Sequence, residues 1–163
     1  MNNKEATLTL PTYSEAAGAK LYSQSWHPVG DAKAIVLLVH GYAEHSGRYQ
    51  YLAEHCVERG FAVFALDHWG HGKSEGIPGF VPRFSVFHDG VYQLLVQAKI
   101  DYPNLPVILV GHSMGGLIGA SYLLEHQSEF TGCVLSGPAI KAGEEPSAFL
   151  MAISKILSAL TPK

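Results

Sequence analysis

The sequence is poor in several things, and each shortage narrows the field. Its 163 residues hold only two cysteines, Cys56 and Cys133, far apart and without metal-ligand spacing. They read as two reduced thiols in a cytoplasmic protein. There is no run of Lys or Arg; the net charge is −3, with acids and bases mixed along the chain. Nothing therefore argues for nucleic acid as a partner. The first residues, Met1-Asn-Asn-Lys-Glu, lack the apolar core of a signal peptide, and no apolar run is long enough to span a bilayer. No internal repeat or low-complexity tract is present. What remains is one domain's worth of chain or less, 47% apolar and 15% charged, a composition that folds rather than stays disordered.

The most informative stretch is Pro106-Val-Ile-Leu-Val-Gly111-His112-Ser113-Met114-Gly115-Gly116-Leu-Ile-Gly119. A continuous Val/Ile/Leu strand runs into a sharp turn and then into a helix rich in small residues. Ser113 stands at the turn, inside Gly-x-Ser-x-Gly. A serine hydroxyl is a poor nucleophile unless it is held in the open, near a base and near donors for an oxyanion. A strained strand-to-helix turn does the holding, and glycines keep side chains out of the crossing.

Taken in order, residues 6–12 and 19–26 alternate as strands, with Ala17-Gly18 as the turn of a hairpin. Residues 34–40 and 61–66 are continuous apolar runs, suited to strands covered on both faces. Between them a helix is expected over 48–59, capped by Ser46 or a neighbour, with Tyr49, Leu52, Ala53, Cys56 and Val57 facing inward. A second helix is expected over 85–102, its apolar positions Val91, Leu94, Leu95, Ala98 and Ile100. A third runs from Met114 to His126, followed by a strand over 130–135. Strand and helix alternate from Ala34 onward, which predicts a doubly wound, mostly parallel α/β sheet. Ligands of such sheets sit at the carboxyl ends of the strands. His40-Gly41, Asp67-His68, His112-Ser113 and Ser136-Gly137 all fall there.

Three blocks carry a resemblance: His40-Gly-x-x-Glu44-His45-x-x-Arg48-Tyr49, Asp67-His68-x-Gly70-His71-Gly72-x-Ser74-Glu75-Gly76, and Gly111-His112-Ser113-Met114-Gly115-Gly116. The sequence resembles the α/β-hydrolase superfamily, and within it the monoacylglycerol lipase and lysophospholipase (serine aminopeptidase S33-like) branch. The third block is common to many hydrolases; the first two together are more selective. The resemblance implies an α/β-hydrolase fold and a serine ester hydrolase of monoacylglycerols or lysophospholipids, acting through an acyl-enzyme with no metal or cofactor. It makes Ser113 the nucleophile and gives the oxyanion hole to the backbone amides of Met114 and Tyr42. It places Glu44, Arg48 and His112 at the polar, glycerol-side end of the pocket; a helix-start ion pair is the plainer account of Glu44 with Arg48. The Asp67 block is expected to be a structural loop, because His68 and His71 have no third metal ligand at sensible spacing. Tyr42 departs from the small residue common at its position, and its ring is expected to narrow the acyl tunnel.

The resemblance also implies what to look for next. In this fold the triad runs Ser, then Asp or Glu, then His. No Asp follows Ser113, and the one later histidine, His126, lies on the order of 20 Å away along a helix. The triad acid and base are therefore expected outside this sequence, supplied by a complementing C-terminal half. Residues 1–145 are expected to form the N-terminal part of the hydrolase core, ending before the last strands. Residues 146–163, apolar at Phe149, Leu150, Ile153, Ile156, Leu157 and Leu160, are expected to begin a cap that touches the membrane surface, or else to form a plain core helix. Alternatives are a non-catalytic piece that binds lipid or a partner chain, and a peptidase or thioesterase of the same fold.

Overall fold

The computed structural model describes residues 7, 8, 12–16, 18–141 and 147–160. Four strands carry the parallel part of the sheet: β4 (Ala34–Val39), β5 (Phe61–Leu66), β6 (Val107–His112) and β7 (Gly132–Ser136). With β1 (Thr7–Leu8), β2 (Thr12–Ala16) and β3 (Ala19–His27), they form a seven-stranded sheet in the order β1-β3-β5-β4-β6-β7, with β2 also on β3. β3 is antiparallel to β5. The doubly wound, mostly parallel sheet with an antiparallel N-terminal hairpin is thus present.

The hairpin differs in detail from the expected one. β2, not the stretch over 6–12, pairs with β3 across the turn at Gly18, with Ala16 opposite Ala19. Thr7 and Leu8 instead pair with the far end of β3, opposite His27 and Trp26. Alternation alone gives the period of a strand, not its partner. Ala17 lies outside the described residues.

β4 and β5 are apolar throughout because both faces are covered. Val36 and Leu38 meet Val63 and Ala65 under Ala53 and Val57 of α1 (Gln50–Glu58). Ile35 and Leu37 turn the other way, toward Leu94, Leu95 and Ala98 of α2 (Ser85–Asp101). Val39 and Leu109 pack with Ile118 and Tyr122 of α3 (Met114–His126). The period of two along each strand sends alternate side chains to opposite helical layers. Leu52, expected on the inward face, is 41% exposed, and Ile100, one of the apolar positions of the second helix, is 68% exposed. Each sits on its helix a step away from the apolar stripe. The helix expected from Arg48 opens instead with a 3-10 turn over Ser46–Tyr49. No side chain caps either segment. Ser46 is fully buried and holds Asp67 instead.

The other end of the sheet is different in kind. β7 begins at Gly132 rather than residue 130, and its side chains are exposed, apart from a half-buried Leu135. α4 (Ala148–Leu160) is strongly apolar, yet Phe149, Ile156, Leu157 and Leu160 are more than half exposed. Pro146, the expected helix start, lies outside the described residues. No helix among the described residues is long and apolar enough to cross a membrane.

Candidate active site

β6 ends at His112 and α3 starts at Met114, so Ser113 alone makes the turn, at φ 53° and ψ −117°. A positive φ is costly for a residue with a side chain and persists only where its neighbours enforce it. Here the Ser113 amide donates to the Ser136 carbonyl (3.0 Å), and the Ser113 carbonyl accepts from the amides of Leu117 (3.1 Å) and Ala139 (3.0 Å). Gly111 and Gly115 make the crossing possible. A methyl group at Gly111 would stand 2.5 Å from the Gly115 carbonyl oxygen, and one at Gly115 would enter the carbonyls of Val39 and His40. The strained crossover predicted for the motif is present, with the Ser113 side chain half-buried rather than lost in the core.

The turn after β4 lies against this elbow. A methyl at Gly41 would be 3.2 Å from Ser113 Cβ and 3.2 Å from the His112 carbonyl oxygen. Tyr42 follows directly, and no backbone carbonyl among the described residues accepts its amide. Met114 is the first residue of α3, where an N–H has no intrahelical partner. The Tyr42 and Met114 amides thus both belong to backbone next to the serine. The Tyr42 ring is 61% exposed and packs edge-on against His71, 5.5 Å between centroids, leaning onto the loop of residues 67–80.

Glu44 faces the protein rather than solvent. Its Oε1 accepts from the Gly41 amide (2.5 Å) and from the Tyr49 hydroxyl (2.6 Å). Burial would raise the Glu44 carboxyl, but these two donors, with His40 and His112 nearby, outweigh it and hold the group below its ordinary range. The same contact, together with burial, pushes the Tyr49 hydroxyl up. Arg48 approaches Glu44 Oε2 at 3.7 Å from a largely exposed position, so the expected ion pair is present and weak. Glu44, Arg48 and His112 do come together. With Tyr49, Leu52 and Ser136 they line a groove of about 340 Å³ behind the elbow, of which Ser113 is not a lining residue.

The nearby histidines are already engaged. His40 accepts the His68 amide on Nε2 (2.9 Å), so its Nδ1 carries the proton and donates to the Gly41 carbonyl (2.7 Å). Burial lowers its pKa to about 4, with Gly41, Asp67 and Glu44 opposing only in part. His68 is fully buried and donates from Nε2 to the His40 carbonyl (3.1 Å); burial drives its pKa well down. His112 is exposed and turns Nδ1 to the Ser136 carbonyl (3.1 Å). His40 therefore has no lone pair left for a serine proton. Asp67 is equally committed. Its Oδ1 takes the amide (2.7 Å) and hydroxyl (2.6 Å) of Ser46, and its Oδ2 the Lys73 amide (2.8 Å), tying the 67–80 loop to the segment after β4. No group of three or more His, Cys, Asp or Glu among the described residues could hold a metal ion.

Residues 30–163 match the family described as serine aminopeptidase, S33. The chain belongs to this S33 hydrolase family. Among relatives, it is 41% identical over 154 residues to human monoglyceride lipase, covering 94% of this chain and 51% of that protein. It is 39% identical over 151 residues to the monoacylglycerol lipase of Mycolicibacterium smegmatis, covering 93% of this chain and 54% of that protein. Two solved structures share the fold. One is a thermostable carboxyl esterase from Bacillus coagulans in complex with glycerol (TM-score 0.76, 29% identity, 94% of this chain and 51% of that one). The other is a soluble variant of monoglyceride lipase from Saccharomyces cerevisiae with a substrate analogue (TM-score 0.72, 28% identity, 95% and 53%). The S33 chain spans about half the length of the relatives it matches. The α/β-hydrolase fold is thereby shown.

Sequence reasoning missed three parts of this S33 site. Tyr49 was assigned to a helix face, whereas its hydroxyl reaches Glu44. Ser136 and Ala139 hold the elbow through backbone atoms alone, which no side-chain pattern records. The cap expected of Ser46 or a neighbour is not made, and Ser46 holds Asp67 instead, a long-range contact that local pattern does not record.

Proposed function

We propose that this chain is the nucleophile-bearing part of a carboxylic ester hydrolase acting on monoacylglycerols or lysophospholipids. The observation that carries the reading is Ser113 at positive φ between β6 and α3, with the Tyr42 and Met114 amides on the adjoining backbone. In this reading Ser113 Oγ attacks the ester carbonyl carbon, and its proton passes to a base supplied from outside this sequence. The Tyr42 and Met114 amides receive the charge that develops on the carbonyl oxygen, a use of fixed dipoles suited to a site away from bulk water. The alkoxide leaves with that proton, and water, activated by the same base, releases the acid from Ser113. Arg48 and His112 line the polar end, where the alcohol portion departs, and Glu44 stands behind them with its carboxylate turned to Gly41 and Tyr49. Residues 1–145 form the N-terminal part of the core, and residues 146–163 open a cap that meets lipid at the membrane surface.

Support for an external base comes from the engaged ring nitrogens of His40, the absence of Asp after Ser113, and relatives about twice as long. Support for a complementing half comes from β7, whose exposed face and outer edge await a neighbour. The test is to combine this chain with a chain carrying the remaining half of such a relative. A fluorophosphonate probe and a short-chain ester are then supplied. Labelling and hydrolysis that appear on mixing and vanish with Ser113→Ala support the proposal. Binding of the second chain or of lipid vesicles with neither reaction would assign the chain to a non-catalytic role.

A further inference from the structure

Glu44 lies on the turn that abuts the elbow, and its contacts suit a task other than meeting substrate. Its side chain is only 12% exposed. One oxygen takes both short hydrogen bonds, from the Gly41 amide and the Tyr49 hydroxyl. The carboxylate therefore ties together the two ends of the segment between β4 and α1. Gly41 is where that tie matters. It is fully enclosed, and a methyl group there would lie 2.8 Å from Glu44 Oε1 and 3.2 Å from Ser113 Cβ. Ala43, on the far side of Tyr42, holds φ 58°, a conformation that a free chain with a side chain avoids. The turn Gly41-Tyr42-Ala43 is thus pinned at one end, strained at the other, and pressed against the serine backbone.

We infer that Glu44 is a positioning residue: its carboxylate clamps the Gly41 amide so that the next amide, Tyr42, stays aimed at the oxyanion position beside Ser113. The inference rests on the serine hydrolase reading above, but the clamp itself can be observed without catalysis. Glu44 touches neither substrate nor the reacting atoms; it acts through the backbone of Gly41. A charged acceptor is suited to this work because hydrogen bonds to ionised groups are shorter and stronger than neutral ones. Tyr49 supplies the second donor that keeps the same oxygen in place, and Arg48 contributes little from its exposed position.

The test follows the Gly41 amide in protein labelled with nitrogen-15 glycine. In the parent chain its proton resonates far downfield of the other glycines, exchanges slowly, and titrates at a pH below the ordinary glutamate value of about 4.3. Glu44→Gln retains an acceptor but not the charge, so the resonance moves upfield, loses its titration and keeps its protection. Glu44→Leu removes the acceptor, and exchange at Gly41 accelerates by about tenfold or more. Tyr49→Phe leaves the amide protected and shifts its titration upward. In the complemented hydrolase, Glu44→Leu lowers kcat by on the order of tenfold to a hundredfold with little change in KM, and Glu44→Gln restores part of it. A Gly41 amide indifferent to Glu44→Leu, or a Glu44→Leu enzyme with parent kcat, overturns the clamp. If the Gly41 signature responds as stated while Ser113→Ala leaves ester hydrolysis intact, the clamp stands and the hydrolase reading falls.

Discussion

The two ends of the sheet follow opposite rules. Around β4 and β5, side chains are buried on both faces, and three polar groups near the elbow are each met by named partners: Asp67 by Ser46 and Lys73, His40 by Gly41 and His68, Glu44 by Gly41 and Tyr49. On β7, on α4 and on the outer side of α3, apolar side chains face outward, with Val134 of β7 56% exposed and Leu124 of α3 87% exposed. The first end is built to hold a few atoms still. The second end presents apolar surface that the described residues leave open. A site can be preorganised on one side of a sheet while the other side is left open, because strands pair locally and each helix covers only its own patch.

Four measurements test this contrast. The largest effect is expected at the elbow: Ser113→Ala should lower ester hydrolysis by the complemented protein by on the order of 10⁴-fold, read as loss of turnover and of fluorophosphonate labelling. Next is Ile35→Ala in the closed end, where Ile35 is fully buried between β4 and α2. It should cost about 2–5 kcal/mol in a urea melt. A value near zero would show that this end is not the packed one.

The third prediction concerns pH. His40 has a folded-state pKa lowered from 6.5 to about 4, so the unfolded chain binds the proton first. Stability from neutral His40 is complete above pH 6.5 and is lost as pH falls toward 4, by about 3 kcal/mol in all, with fully buried His68 acting in the same direction. Urea midpoints between pH 7.5 and 4.5 check this, and a flat profile would contradict it. The smallest effect belongs to the open end: Leu124→Ala should change stability by no more than about 0.5 kcal/mol. A loss comparable to that of Ile35→Ala would mean that Leu124 is covered in solution.

Much of the closed end was legible in the sequence. Unbroken apolar runs at residues 34–39 and 61–66 announced strands covered on both faces, because nothing else accommodates such runs in a folded chain of this composition. The Gly-x-Ser-x-Gly pattern announced the elbow because its glycines are dictated by backbone crossing, a local matter. Less legible was whatever depends on partners distant in sequence. Alternation over residues 6–12 did not reveal that Thr7 and Leu8 pair with the end of β3 rather than its start. A serine before a helix suggests a cap, but the buried carboxyl group of Asp67 competes for it and wins, since a polar acceptor in the interior needs its donors more than a helix end open to water does. Glu44 with Arg48 read as an ion pair, while the shorter contacts of Glu44 go to a main-chain amide and a tyrosine, neither of which carries charge.

Beyond the pairing of β6 with β7, two hydrogen bonds tie Ser113 to the open end. The main-chain oxygen of Ser136, the last residue of β7, holds the amide of Ser113, and the Ala139 amide returns to the Ser113 carbonyl. The backbone of Ser113 is therefore moored to a strand whose side chains are mostly exposed. Whatever docks on that outer border will also tighten the mooring, and whatever peels it away will slacken it. On the hydrolase reading proposed above, the docking of a neighbouring strand and the setting of Ser113 share one hinge.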